Sequence, residues 1–254
     1  MQGFFITGTD TGVGKTAVTA GLAANLKQKG FDVGIMKPVQ TGSEKSEHGL
    51  ISADALYAMQ VAKINDPMEL VSPYRLEAPL APSIAAQITG VNIEVQKIEH
   101  AYRELCKRHR FMLVEGAGGI MVPVTGRLLM ADLAKILNLP VLIVARPGLG
   151  TVNHTLLTIE YAKSRDIQVA GVIINGLNES EAGTAEKTNP GLIEELSGIP
   201  VVGIIPYISD LDVDTYNPGR IIELVRAEIN WEKISLPGPG GDYGNARDIN
   251  RKGD

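Results

Sequence analysis

The sequence predicts a single α/β domain built on a mostly parallel sheet with helices on both faces. Short apolar runs alternate along the chain with segments of helical period, the pattern of repeated βαβ units. Most of those runs are unbroken rather than alternating, as strands covered on both faces require. The 254 residues suit one large α/β domain or two small ones, and neither an internal repeat nor an interdomain linker divides them. One domain is therefore expected, over residues 1–234.

The elements are expected in this order. Strands lie at Phe4–Thr7, Val33–Pro38, Phe111–Glu115, Val141–Ala145, Val169–Ile174 and Val201–Pro206. Val18, Leu22 and Leu26 form a helical stripe after the first. Residues 65–83 carry Pro67, Pro73, Pro79 and Pro82 and read as irregular loop with one short strand. Glu94–His109 sets Val95, Ile98, Tyr102 and Leu105 on one stripe, and Thr151–Ser164 does the same with Val152, Leu156 and Ile159. Asn189-Pro190-Gly191 opens a helix ending near Gly198, and Asn217-Pro218 opens another, with asparagine at the N-cap and proline at the first helical position. Ser235 to Asp254 is rich in glycine, proline and charge, and reads as a disordered tail.

Bulk composition excludes several classes. A formal net charge of −5 argues against nucleic acid as the main partner, because neutralising phosphates needs a basic face. The single cysteine, Cys106, excludes intrachain disulfides and cysteine-cluster metal sites; in its helical pattern it reads as filler rather than nucleophile. The chain opens directly into a strand without a signal-peptide pattern, and no apolar run approaches the roughly 20 residues of a membrane span. A soluble, cytoplasmic protein without a membrane partner is expected.

The most informative stretch is Gly8-Thr9-Asp10-Thr11-Gly12-Val13-Gly14-Lys15-Thr16, directly after the first strand. Such glycines let successive backbone N–H groups turn around a phosphate at a helix N-terminus, while the lysine reaches the outer phosphates and the hydroxyl sits on Mg²⁺. The fold is thus P-loop NTPase-like. The template G-x-x-x-x-G-K-[ST] nevertheless wants its first glycine at position 9, where this chain has Thr9; Gly8 stands one residue early.

In open α/β sheets ligands sit beyond the carboxyl ends of the strands, so the residues just after each strand matter most. Lys37-Pro38-Val39-Gln40-Thr41-Gly42 offers a second cation for a transferred phosphoryl group, or merely a solvated surface charge. Glu115-Gly116-Ala117-Gly118-Gly119 places a carboxylate where P-loop proteins keep their Mg²⁺-linked acid, usually Asp; an incidental acid in a glycine-rich turn is the bland alternative. Asp54 comes two residues after Ser52 and reads, by itself, as a first-turn acid favoured by the helix dipole. Arg146-Pro147-Gly148-Leu149-Gly150-Thr151-Val152-Asn153 is either an anion-binding helix start or an ordinary βα turn. Asn175-Gly176 could present an amide to an adenine edge or simply turn the chain. His48, His100, His109 and His154 share no metal-ligand spacing.

Taken together these motifs resemble, in order, those of the dethiobiotin synthetase family, whose phosphate loop carries the same displaced glycine. The similarity extends from about Gly3 to about Ile229. The resemblance implies ATP-dependent closure of 7,8-diaminononanoate and CO₂ into the cyclic urea of dethiobiotin, with ADP and phosphate released, in biotin synthesis. It implies that Gly12, Val13, Gly14, Lys15, Thr16 and Ala17 line the phosphates, and that Thr16, Asp54 and Glu115 hold Mg²⁺. Lys15 and Lys37 would be the catalytic cations. Glu115, Gly116, Ala117, Gly118, Asp54, Asn175, Gly176 and Ile204, Ile205, Pro206 would be nucleotide contacts. Thr11, Lys37 and Thr41 would touch the diamino acid, while Gly150, Thr151, Val152 and Asn153 would bind its carboxylate from the other subunit of a homodimer. Some relatives have an acid where this chain has Gly12, so any role of that acid is missing or moved here. The rival reading is an ATPase switch of the partition or metal-carrier type. Those proteins usually carry a second lysine within the loop, and this loop has only Lys15.

Overall fold

The computed structural model describes residues 2–47 and 49–234. Its centre is a six-stranded sheet of β1 (Gln2–Gly8), β2 (Val33–Met36), β3 (Phe111–Gly119), β4 (Val141–Ala145), β5 (Val169–Leu177) and β6 (Val201–Pro206). All pairings are parallel, in the order β2-β3-β1-β4-β5-β6. The chain therefore changes direction across β1, and the loop after β1 lies at the crevice where open α/β sheets take their ligands.

Nine helices surround the sheet among the described residues: α1 (Lys15–Gln28), α2 (Ala53–Ala62), α3 (Met68–Val71), α4 (Pro82–Thr89), α5 (Val95–Arg108), α6 (Met130–Ile136), α7 (Thr151–Ser164), α8 (Thr184–Ser197) and α9 (Ile221–Glu228). Alternation along β1 builds two cores. Phe4 and Ile6 point to one face, against Val18, Leu22 and Leu26 of α1, Tyr57 of α2 and Val225 of α9. Phe5 points to the other, shared with Ile98 and Leu105 of α5, Ile159 of α7 and Ile193 of α8. Both faces of the sheet are covered, so the unbroken apolar runs are a consequence of the architecture.

The expected helices at Glu94–His109 and Thr151–Ser164 are present, the first shorter by one residue at each end. Four expectations are corrected. β2 stops at Met36, because the Lys37 N–H turns away to Val71 O at 2.7 Å; Val39–Thr41 then pairs with Tyr74–Leu76 in a separate parallel ribbon. Residues 65–83 hold that strand but also α3 and the start of α4, with Pro82 in its first turn. α8 begins at Thr184, not at Asn189: Glu186 accepts the Gly183 N–H at 2.9 Å and closes the first turn, and Pro190 lies inside the helix. The buried Asn189 instead donates to Pro147 O at 3.0 Å. Asn217 does not cap α9. It pairs with Asp212 in a tight turn, its side chain accepts from Gly219 N at 3.1 Å, and α9 starts at Ile221. The expected tail, residues 235–254, lies outside the described residues.

Candidate active site

The loop between β1 and α1 is fixed from three sides. Thr9 N–H donates to Val144 O on β4 at 3.0 Å, Asn175 Nδ2 on β5 donates to Val13 O at 3.0 Å, and Arg146 pairs with Asp10 at 2.6 Å. Gly14, at φ 88°, is the N-cap of α1, and a Cβ there would lie 2.1 Å from Asn175 Nδ2. The displaced Gly8 has a steric reason as well. A Cβ at Gly8 would come within 2.6 Å of Asp10 O, 2.9 Å of Val13 Cγ2 and 3.1 Å of Lys15 Nζ. The loop folds back tightly over position 8, and that is where the side chain is missing.

Behind the loop lies a buried charge cluster. Lys37 Nζ sits 2.5 Å from Asp54 Oδ2 and 2.6 Å from Glu115 Oε1, and Thr16 Oγ1 donates to the same Glu115 oxygen at 2.8 Å. Each member comes from a different element: Lys37 from the end of β2, Asp54 from the first turn of α2, Glu115 from within β3, Thr16 from the first turn of α1. Ser52 orients Asp54, since its hydroxyl caps α2 by accepting from Ala55 N at 3.4 Å and donates to Gln40 Oε1 at 3.0 Å. The Lys37 and Glu115 side chains are 5% and 3% exposed, so burial would favour their neutral forms. For Lys37 burial is outweighed by the Glu115 and Asp54 carboxylates, which hold the ammonium above its usual range. For Asp54 burial is likewise outweighed, and Lys37 keeps the carboxyl below its usual range. Glu115 is pushed up by burial and by the charge of Asp54, against the pull of Lys37. Lys15, resting on Asp10 O at 3.3 Å, is lowered by burial.

A cavity of about 350 Å³ opens onto this cluster. Of the residues singled out from sequence, it gathers Thr11, Gly12, Gly14, Lys15, Thr16, Ala17, Lys37, Thr41, Asp54, Glu115, Ala117 and Gly118. Val13 is buried beneath the loop. Gly116 faces Phe5, whose ring would be 2.8 Å from a Cβ there, so packing against β1 leaves no room for a side chain at this position. Asn175, Gly176 and Ile204 to Pro206 lie outside the cavity at the ends of β5 and β6; Asn175 touches the loop, and Ile205 is fully buried. Gly150, Thr151, Val152 and Asn153 start α7 and do not line the cavity either. Gln40, Leu211 and Val213 line it although sequence reasoning did not single them out. Gln40 stood inside a quoted motif; the other two come after β6 on the carboxyl side of the sheet, which was the only signal they carried.

An ATP-dependent dethiobiotin synthetase BioD of Thermodesulfovibrio yellowstonii is 42% identical to the chain over 219 residues, covering 84% of this chain and 91% of the relative. One of Bacillus licheniformis is 44% identical over 234 residues, covering 92% and 96%. The chain belongs to the dethiobiotin synthetase family. An AAA domain model also matches residues 2–215. Among solved structures, the MinD cell division protein of Aquifex aeolicus superposes with a TM-score of 0.56 at 16% identity over 89% of this chain and 91% of that one. A ParA family ATPase of Chlorobium tepidum superposes with a TM-score of 0.55 at 17% identity over 88% and 96%. At that identity the likeness is one of fold alone. No helix among the described residues is long and apolar enough to cross a membrane.

Proposed function

We propose that the chain is an ATP-dependent dethiobiotin synthetase. It would join 7,8-diaminononanoate and CO₂ into a five-membered cyclic urea, with ADP and phosphate as the other products. The observation that carries this reading, beyond family membership, is a buried ammonium at the phosphate loop, Lys37 held between Asp54 and Glu115. One substrate amine takes up CO₂ as a carbamate, whose oxygen attacks the γ-phosphorus and expels ADP. The neighbouring amine then closes on the carbamate carbon and expels phosphate. This chemistry needs positioning and positive charge more than a protein nucleophile.

The chain's residues fall into corresponding roles. N–H groups of Gly12 to Ala17 would cradle the phosphates, with Lys15 on the transferred group. Thr16, Asp54 and Glu115 offer a hydroxyl and two carboxylates already gathered about a cation, a hard oxygen set that suits Mg²⁺. When bound there, Mg²⁺ would neutralise charge on the phosphate oxygens. Thr11, Thr41 and Lys37 would face the diamino acid. Asn175, Gly176 and Ile204 to Pro206 would border the base, and Glu115 to Gly118 would pass beside the phosphates.

The start of α7 at Gly150–Asn153 would bind the substrate carboxylate of a second subunit, as a helix N-terminus favours an anion. A homodimer is supported by the groove between the loop and α7, bordered by Met121 and Leu157 at 58% and 62% exposure. Residues 1–234 would form this catalytic domain, acting in the cytoplasm. Incubation with ATP, diaminononanoate and labelled bicarbonate should give a labelled cyclic urea by mass and diamine-dependent phosphate release. Equal ATP hydrolysis without the diamine would favour the ATPase switch instead.

A further inference from the structure

We propose that Lys37 is also a resident counter-ion for the metal ligands, held on them until a dication displaces it. The inference rests on the reading of Thr16, Asp54 and Glu115 as the metal's ligands. Its basis is geometric: one ammonium lies within 2.6 Å of both carboxylates, while the Thr16 hydroxyl closes on the same Glu115 oxygen at 2.8 Å. Two carboxylates gathered at one point, Glu115 buried and Asp54 partly so, repel one another, and Lys37 is the cation that touches both.

A dication bound to these oxygens meets the ammonium at contact range, where like charges in a poorly solvated site cannot share the ligands without loss. The backbone of Lys37 cannot retreat, because its N–H is tied to Val71 O and Pro38 comes next. Relief has to come from the side-chain torsions, which carry Nζ off at least one carboxylate into the cavity lined by Thr41 and Thr11. The lysine would thus be delivered toward the diamino acid only once the metal has arrived. Metal binding and substrate binding become linked through one side chain that has two alternative sets of partners.

The test is a titration of nucleotide-free full-length protein with Mn²⁺ alone, following free metal by electron paramagnetic resonance. Lys37→Met removes the competing charge and should tighten Mn²⁺ binding by about tenfold or more, as interactions between close charges require. Adding Asp54→Asn should abolish the gain. Binding to Lys37→Met no tighter than to the wild type overturns the inference. A second readout uses wild-type protein, in case the variant does not fold. The ¹⁵N resonance of the Lys37 ammonium should shift and exchange faster with solvent on addition of Mg²⁺, and an unchanged signal at saturation overturns the inference as well. Equal Mn²⁺ binding by wild type and Glu115→Gln refutes the metal site itself, and this inference with it.

Discussion

Replacing Gly8 by alanine tests whether the displaced glycine of the phosphate loop is a steric necessity. The new Cβ would sit 2.6 Å from Asp10 O, where ordinary contact begins at 3.4 Å, so the crossing backbone must move by about 0.8 Å. The obstruction is main chain, and Val13 and Lys15 crowd the same point, so a side-chain rotation cannot relieve it. Overpacking of this kind costs about 1–3 kcal/mol of stability. A displacement near 1 Å at a reacting group lowers turnover by about 10²-fold. Thr9→Gly is the control. It restores the glycine position of the general template and keeps the backbone N–H bond from position 9 to Val144 O, so it should cost only about 0.5–1 kcal/mol of backbone entropy. The double variant should be as impaired as Gly8→Ala, because the register of the loop and not its glycine content is at issue. Diamine-dependent phosphate release gives kcat and KM for ATP, and thermal melting gives stability. Near wild-type kcat and Tm in Gly8→Ala would refute the steric argument, as would rescue by the second glycine.

Other outcomes rest on the charge cluster and the proposed assembly. Lys37→Ala should lower kcat far more than it raises KM for ATP, and should cost about 3–5 kcal/mol of stability because it strands the buried Glu115 carboxylate; unchanged kcat in steady-state assays would remove Lys37 from the catalysts. Mixing Lys15→Ala with Asn153→Ala subunits should partly restore activity, since one of the two shared sites then has both parts intact; confirmed mixed dimers without activity would exclude a shared site. The Asp54 carboxyl is depressed below its ordinary 3.8 by Lys37, so its contribution to stability is complete above that value and is lost as pH falls through the lower folded value. The stability gap between wild type and Asp54→Asn, measured by urea unfolding, should therefore be constant near neutrality and narrow in acid; a gap that widens in acid contradicts the pairing.

The sheet was legible because two-sided burial leaves unbroken apolar runs, and Val141–Ala145 and Val201–Pro206 were placed to the residue. Strand ends rich in glycine escaped, because glycine reads as a turn. β3 continues to Gly119 and β5 to Leu177, because past an irregularity in register Gly119 pairs with Gly8 and Leu177 with Pro206. The α8 start was misplaced for a related reason. Asn-Pro is a strong local signal for a first turn, but Glu186 offered the backbone an earlier closure, and a tertiary contact to Pro147 took the Asn189 side chain. In the site, Lys15 and Thr16 could be read locally. Asp54 could not, since locally it is one more acid in a first turn, and only the convergence of β2, β3 and α2 brings it to Lys37. Leu211 and Val213 lacked any chemical mark and became visible only as cavity walls.

The ties from Thr9 to β4, from Val13 to β5 and from Asp10 to Arg146 have a thermodynamic consequence. Fixing one residue's backbone costs about 1–2 kcal/mol, and a slack loop of this length would charge that cost to each nucleotide it takes up. Here the ordering is completed when the sheet forms, so nucleotide capture proceeds without it. Hydrogen exchange at Thr9, whose N–H donates to Val144 O, should accordingly be as slow in nucleotide-free protein as in the strands that hold the loop. Exchange as fast as in an exposed turn would mean that the loop still orders on binding.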